Sequence, residues 1–208
     1  MKINITVKKK GMTLIEMMLA ISIFTMGIAG FSLLFVKSWK INSYTFEMGQ
    51  SSLAAYQGVS KIMVYLREVR QADNGAYPIR SASDNDLVIY SDYDKDGITE
   101  RLHFYKNGNQ IMMGYRKPSG GLTKTYADGD QETKVIASNI VNEANVPIFY
   151  YYNKNYPGDQ ANNPVPTPAN VANIRLVKIL LKINIDPNRA PDNIESSSFV
   201  ELRNLNDY

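Results

Sequence analysis

The chain has 208 residues, with 23 lysines and arginines against 20 acidic residues, one histidine and no cysteine. No disulfide framework can form, and the material for zinc, Cys/His or Ser/His/Asp chemistry is almost absent, so the composition argues against an enzyme. The formal charge of +3 sits at the start: residues 1–11 hold Lys2, Lys8, Lys9 and Lys10 and no acid, so without them 19 basic residues face 20 acidic ones. That near-neutral remainder carries no concentrated basic patch and predicts no nucleic-acid partner.

From Met12 to Val36 the only ionisable side chain is Glu16. A run of about 25 such residues is long and apolar enough to cross a bilayer as a helix. The lysines ahead of it predict a cytoplasmic N-terminus and a translocated chain after Val36. A carboxylate inside an apolar span costs about 2.5–3.5 kcal/mol at the helix centre and less near the interface, so Glu16 calls for a reason. Thr13 and Glu16 fit one: Thr-x-x-Glu before an apolar run is a capping box, in which both side chains satisfy free N–H groups at a helix start. A plain uncleaved signal anchor is the simplest account of the whole segment. A secretory signal peptide fits less well, because the apolar run is too long and no A-x-A site closes it.

The basic leader ending KKKG, followed by MTLIE and an unbroken apolar run, resembles the type IV pilins and pseudopilins over roughly the first 36 residues. The resemblance implies that a membrane prepilin peptidase cuts between Gly11 and Met12 and N-methylates Met12. It also implies that Glu16 pairs with the N-terminal amine of a neighbouring subunit, which cancels two charges inside lipid. Two positions depart from the pattern: Met12 stands where phenylalanine is more usual, and Leu33 stands where many major pilins carry a helix-kinking proline. The absent proline, the missing cysteine loop and the large body together point toward a minor rather than a major subunit.

Residues 12 to about 72 read as one helix, the 12–36 span continued by an amphipathic stretch within 37–74. At 1.5 Å per residue, about 60 residues give a rod of roughly 90 Å, too long for the span alone. Leu53, Tyr56, Val59, Ile62, Met63, Leu66 and Val69 recur at helical spacing and predict one packed face. Asn74-Gly75 with Pro78 beyond predicts the helix end. Residues 75–208 then change period. LVIYSD (87–92), ERLHFY (100–105) and QIMMGY (110–115), separated by DKDG and KNGN turns, predict an antiparallel meander. Further strands are predicted at Val135–Ile136, 147–152, 174–185 and 198–204. The fold class is therefore α+β and pilin-like: a long N-terminal helix whose amphipathic half covers a C-terminal antiparallel β-sheet. Within PIFYYY, alternation sends Tyr150 and Tyr152 to one face and Phe149 and Tyr151 to the other. The Pro/Asn-rich loop 153–173 reads as a linker before it reads as a partner surface. The closing RNL (203–205) looks like the end of minor pseudopilins.

One loop carries candidate metal chemistry. Asp92, Asp94 and Asp96 alternate, Gly97 allows a sharp turn, the Ile98 carbonyl stands at the seventh position and Glu100 at the ninth. Alternate oxygens in a turning loop converge, and calcium takes six to eight of them. His103 occupies the twelfth position, so no EF-hand glutamate is present; a shorter calcium loop or a polar hairpin turn remains. No cofactor is required.

The leading expectation is a non-catalytic minor pilin or pseudopilin of a pilus, type II secretion or DNA-uptake filament. Its partners would be the prepilin peptidase, other pilin subunits and the membrane. It would begin in the cytoplasmic membrane with its C-terminal domain outside, and end in a filament or at the cell surface. The rival is an unprocessed, signal-anchored calcium-binding adhesin or surface protein. A hydrolase using Asp92, Asp94 or Asp96 lacks an accompanying nucleophile.

Overall fold

The computed structural model describes residues 11–186 and 192–205, so the leader lies outside the described residues except for Gly11. The chain forms two compact units, Met1–Phe46 and Glu47–Tyr208, and their boundary falls inside helix α1, Leu14–Arg67.

In the first unit α1 carries no ionisable side chain between Glu16 and Lys37, and over that stretch it is apolar around most of its surface. Leu14 is 78 % exposed, Phe31 70 % and Leu33 75 %, and every described residue through Phe46 is exposed. Such a helix needs an apolar surrounding, and α1 is long and apolar enough to cross a membrane. Two hydroxyls within the apolar run bond to the helix's own backbone: Ser22 Oγ donates to the Met18 carbonyl and Thr25 Oγ1 to the Ser22 carbonyl, each at 2.9 Å. In hydrocarbon such bonds remove the cost of an unpaired O–H.

In the second unit α1 buries Ser51, Ala55, Gly58, Val59, Ile62 and Leu66. The predicted face is corrected at its start, where Leu53 and Tyr56 are exposed and small residues take their place. The reason is close approach. A Cβ on Gly58 would lie 2.8 Å from Ala137 Cβ and 3.0 Å from Leu181 Cδ1, so the helix here rests almost directly on the strands.

The helix also stops earlier than Asn74-Gly75. Its last residue is Arg67, because Val69 bridges Ser91 and the Arg70 amide donates to the Tyr90 carbonyl at 3.0 Å. Sheet pairing therefore competes successfully for the backbone. Gly75 does take a left-handed conformation (φ +83°), in a turn beyond that pairing.

The strands divide into two antiparallel sheets where one was expected. The first is a meander in chain order: β1 (Ile79–Ala82), β2 (Asp86–Ser91), β3 (Glu100–Asn107), β4 (Gln110–Arg116) and β5 (Glu132–Ala137). The second has the order β6 (Phe149–Tyr152), β7 (Leu176–Ile183) and β8 (Ile194–Glu201). After β5 the backbone turns at Asn139 (φ +60°), Ile140 makes a lone bridge to Ile183, and β6 pairs with β7 instead of with β5.

Period-two alternation supplies the core. Leu87 pairs Phe104, Ile89 pairs Leu102 and Phe104 pairs Met113, all fully buried or nearly so. From the second sheet Phe149, Tyr151, Val177, Ile179, Leu181 and Ile183 join the same core as Val59, Ile62 and Leu66 of the helix. Loop 153–173 lies back on the body. The Val165 amide donates to the Tyr151 carbonyl at 2.7 Å and the Ala169 amide to the Ala82 carbonyl at 2.8 Å, so the loop is tied to both sheets.

Candidate functional site

Two places carry chemistry: the start of α1 and the loop between β2 and β3. At the first, Gly11, Met12 and Thr13 precede the helix in irregular, exposed backbone, and a Cβ added at Gly11 would meet nothing within 4 Å. The Gly11–Met12 peptide is thus exposed, with no side chain at Gly11 to hinder close approach to the backbone. Thr13 caps the helix. Its N–H and its Oγ1 donate to Glu16 Oε2 at 2.7 and 2.9 Å, and the Glu16 amide donates back to Thr13 Oγ1 at 3.3 Å. This is a reciprocal capping box, and it fixes the Glu16 carboxylate one residue from Met12.

The second place forms because β2 and β3 are in register up to Ser91↔Glu100, leaving residues 92–99 to turn back. Lys95 (φ 62°) and Gly97 (φ +89°) provide the left-handed backbone for that turn. Carboxylate oxygens of Asp92, Asp94 and Glu100 come within 4.8 Å of one another. Asp96 stands beside this triangle: its Oδ1 accepts from the Ile98 amide at 2.8 Å, and Ile98 enters through that amide.

Two cations that the loop sequence does not contain complete the arrangement. Lys117 Nζ is 2.6 Å from Asp94 Oδ2, 2.9 Å from Asp96 Oδ2 and 3.8 Å from Glu100 Oε1. Arg70 holds the outside, 3.4 Å from Asp92 Oδ2, while its Nε and NH2 donate to Thr99 Oγ1 and the Gly97 carbonyl. Lys117 lies 17 positions beyond Glu100, yet the hairpin signal contained it: the register Arg101↔Arg116 carries the next residue back to the side of Glu100. Arg70 had no such signal, because it was read as part of a helix.

The electrostatics follow burial. Hydrogen bonds that the Lys117 ammonium donates to Asp94 and then Asp96 push it above the ordinary lysine range, and Lys117 chiefly draws Asp96 down. Glu100 moves the other way. Burial raises its carboxyl, only partly offset by the Tyr93 amide that donates to Oε2 at 2.8 Å.

His103 sits apart from this loop, on the surface of the first sheet. Its Nε2 is 2.6 Å from Asp86 Oδ2 and its Nδ1 3.0 Å from Asp130 Oδ2. Both ring nitrogens are thus engaged by carboxylates, and among the described residues no hydroxyl joins the pair.

A family model described as the prokaryotic N-terminal methylation motif matches residues 7–34, which include Gly11, Met12 and Glu16. No curated protein matches the chain in sequence.

Proposed function

We propose, for a chain that carries the N-terminal methylation motif of the type IV pilins and pseudopilins, that it is a minor pilin or pseudopilin processed at Gly11–Met12. One observation carries the reading: an accessible Gly-Met peptide lies directly before a capped helix that is apolar around most of its surface and bears one carboxylate, Glu16, in its first turn.

The peptidase cut severs the basic leader and leaves Met12 as the new N-terminus. Without the leader's lysines the span loses the charges that fix its orientation and keeps at its start only the Met12 amine and Glu16. Extraction then exchanges lipid contacts for helix packing against neighbouring subunits, while residues from Glu47 on decorate the outside. Glu16 neutralises the incoming amine and sets axial register. Its cap to Thr13 supports that role, because the carboxylate is already held at the helix start. The motif's family is generally structural, and the filament served is a pilus, a secretion or an uptake machine.

The test is the mass of the N-terminal peptide of the protein purified from its native membrane. A peptide beginning at Met12 with one added methyl is the expected result. A chain that still carries Lys8–Gly11 overturns the proposal and favours an anchored surface protein.

A further inference from the structure

The loop between β2 and β3 gathers more negative charge than it neutralises. Asp92, Asp94, Asp96 and Glu100 face two cations, Lys117 and Arg70, and the nearby Lys95 is engaged 3.8 Å away by Glu68. The lysine does not close the cluster. It lies at the half-exposed rim on Asp94 and Asp96, whereas Glu100, with no exposed side-chain surface, has its Oε1 3.8 Å from that ammonium, beyond hydrogen-bond reach.

Within the cluster, Glu100 Oε1 and Asp92 Oδ1 are buried with no hydrogen-bond donor among the described residues. Leaving such an atom unsatisfied carries a desolvation penalty, larger when the group is charged. Both belong to the triangle of Asp92, Asp94 and Glu100. An unpartnered carboxylate oxygen buried inside a convergent acidic cluster points to a cation.

We propose that Asp92, Asp94 and Glu100 bind a calcium ion, with the Lys117 ammonium as an internal competitor that yields part of the site when the ion enters. The all-oxygen donor set and its irregular geometry point to the metal. Calcium–oxygen bonds of about 2.3–2.6 Å let ligand oxygens stand up to roughly 5 Å apart across one ion, whereas magnesium at about 2.0–2.1 Å requires about 4 Å. The three carboxylate oxygens lie within 4.8 Å of one another, inside the reach of one calcium ion, and an irregular, partly open set of oxygens suits calcium's flexible coordination better than magnesium's near-ideal octahedron. Three monodentate carboxylates fall short of calcium's six to eight oxygens, and the open rim admits water for the rest. The site is independent of whether the leader is cut.

The experiment is calorimetric titration of the chelator-treated full chain in detergent micelles with calcium chloride and, separately, magnesium chloride. Calcium binds one site with a dissociation constant of about 0.1–1 mM, the range of extracellular modules, and magnesium at least about tenfold more weakly. Asp94→Asn, at the rim and safe for folding, and Glu100→Gln, which keeps the shape, each weaken calcium at least about tenfold. Lys117→Met removes the competitor and tightens it. Circular dichroism confirms that each variant keeps the wild-type fold. Absence of calcium binding to the wild type up to about 10 mM overturns the site, as does wild-type affinity in both carboxylate variants.

Discussion

Glu100 has no exposed side-chain surface, yet the Tyr93 amide reaches only one of its two oxygens. Because burial raises its carboxyl above the ordinary 4.5, the proton binds more tightly in the folded protein than in the unfolded chain. The stability this provides is complete below the unfolded value and is lost as pH rises through the folded one. At neutral pH the ionised side chain therefore weakens the ion-free fold. Glu100→Gln, measured in excess chelator at pH 7, is expected to melt higher than wild type. A gain of about 1 kcal/mol corresponds to roughly 2–4 °C in a domain of this size. The advantage shrinks as the pH is lowered through the carboxylate range, where wild-type Glu100 takes up its own proton. A lower melting temperature for the variant at pH 7 would mean that the charge is compensated within the chain. At this scale the sequence exposed what is local: Thr13 and Glu16 are three residues apart, so their cap is readable from spacing. Lys117 and Arg70 reach the acidic loop only through strand pairing, and no spacing within Asp92–Glu100 announces them.

Elements tell the same story with longer reach. Strands β2, β3 and β4 alternate over part of their length, with runs of buried residues at the β2–β3 turn end, and are bounded by Asp-Gly and Asn-Gly turns that make them readable. β1 is four residues after a proline, too short for any period to show. The division into two sheets depends on which strand β6 chooses, a long-range decision that composition does not encode. Tyr151 is one of the residues that joins the two sheets. It lies on β6 with its ring fully buried, and its hydroxyl donates at 2.7 Å to the carbonyl of Ser83, just after β1. Tyr151→Phe keeps the ring's packing but removes the hydrogen bond to that half-buried carbonyl, so a loss of about 0.5–1.5 kcal/mol is expected in thermal or denaturant unfolding. Tyr150→Phe, on the opposite face of the same strand and half-buried, is the control, expected within about 0.5 kcal/mol of wild type. Equal effects at the two positions would show that the bond to Ser83 contributes nothing particular.

For the molecule as a whole, the two units have opposite relations to water. All described residues of the first, from Gly11 to Phe46, are exposed, and most of those in α1 are apolar. The packed core begins only at Ala55 and takes its other members from strands and loops of the second unit. Nothing in that core calls on a residue before Glu47, and the helical segment 47–67 brings its own buried face with it. A chain starting at Glu47 should therefore fold without detergent. It is expected to stay in the supernatant after ultracentrifugation, to show a β-rich circular dichroism spectrum and to melt cooperatively, whereas the full chain pellets with membranes. The shortened chain also loses both Gly11–Met12 and Glu16, so it should not enter filaments when supplied in place of the full protein. Aggregation of the shortened chain, or a melt without a transition, would mean that the apolar half of α1 contributes to the fold beyond anchoring it. Solubility with a sharp melt would place all folding information for the second unit after Phe46, leaving the first 46 residues to targeting and assembly.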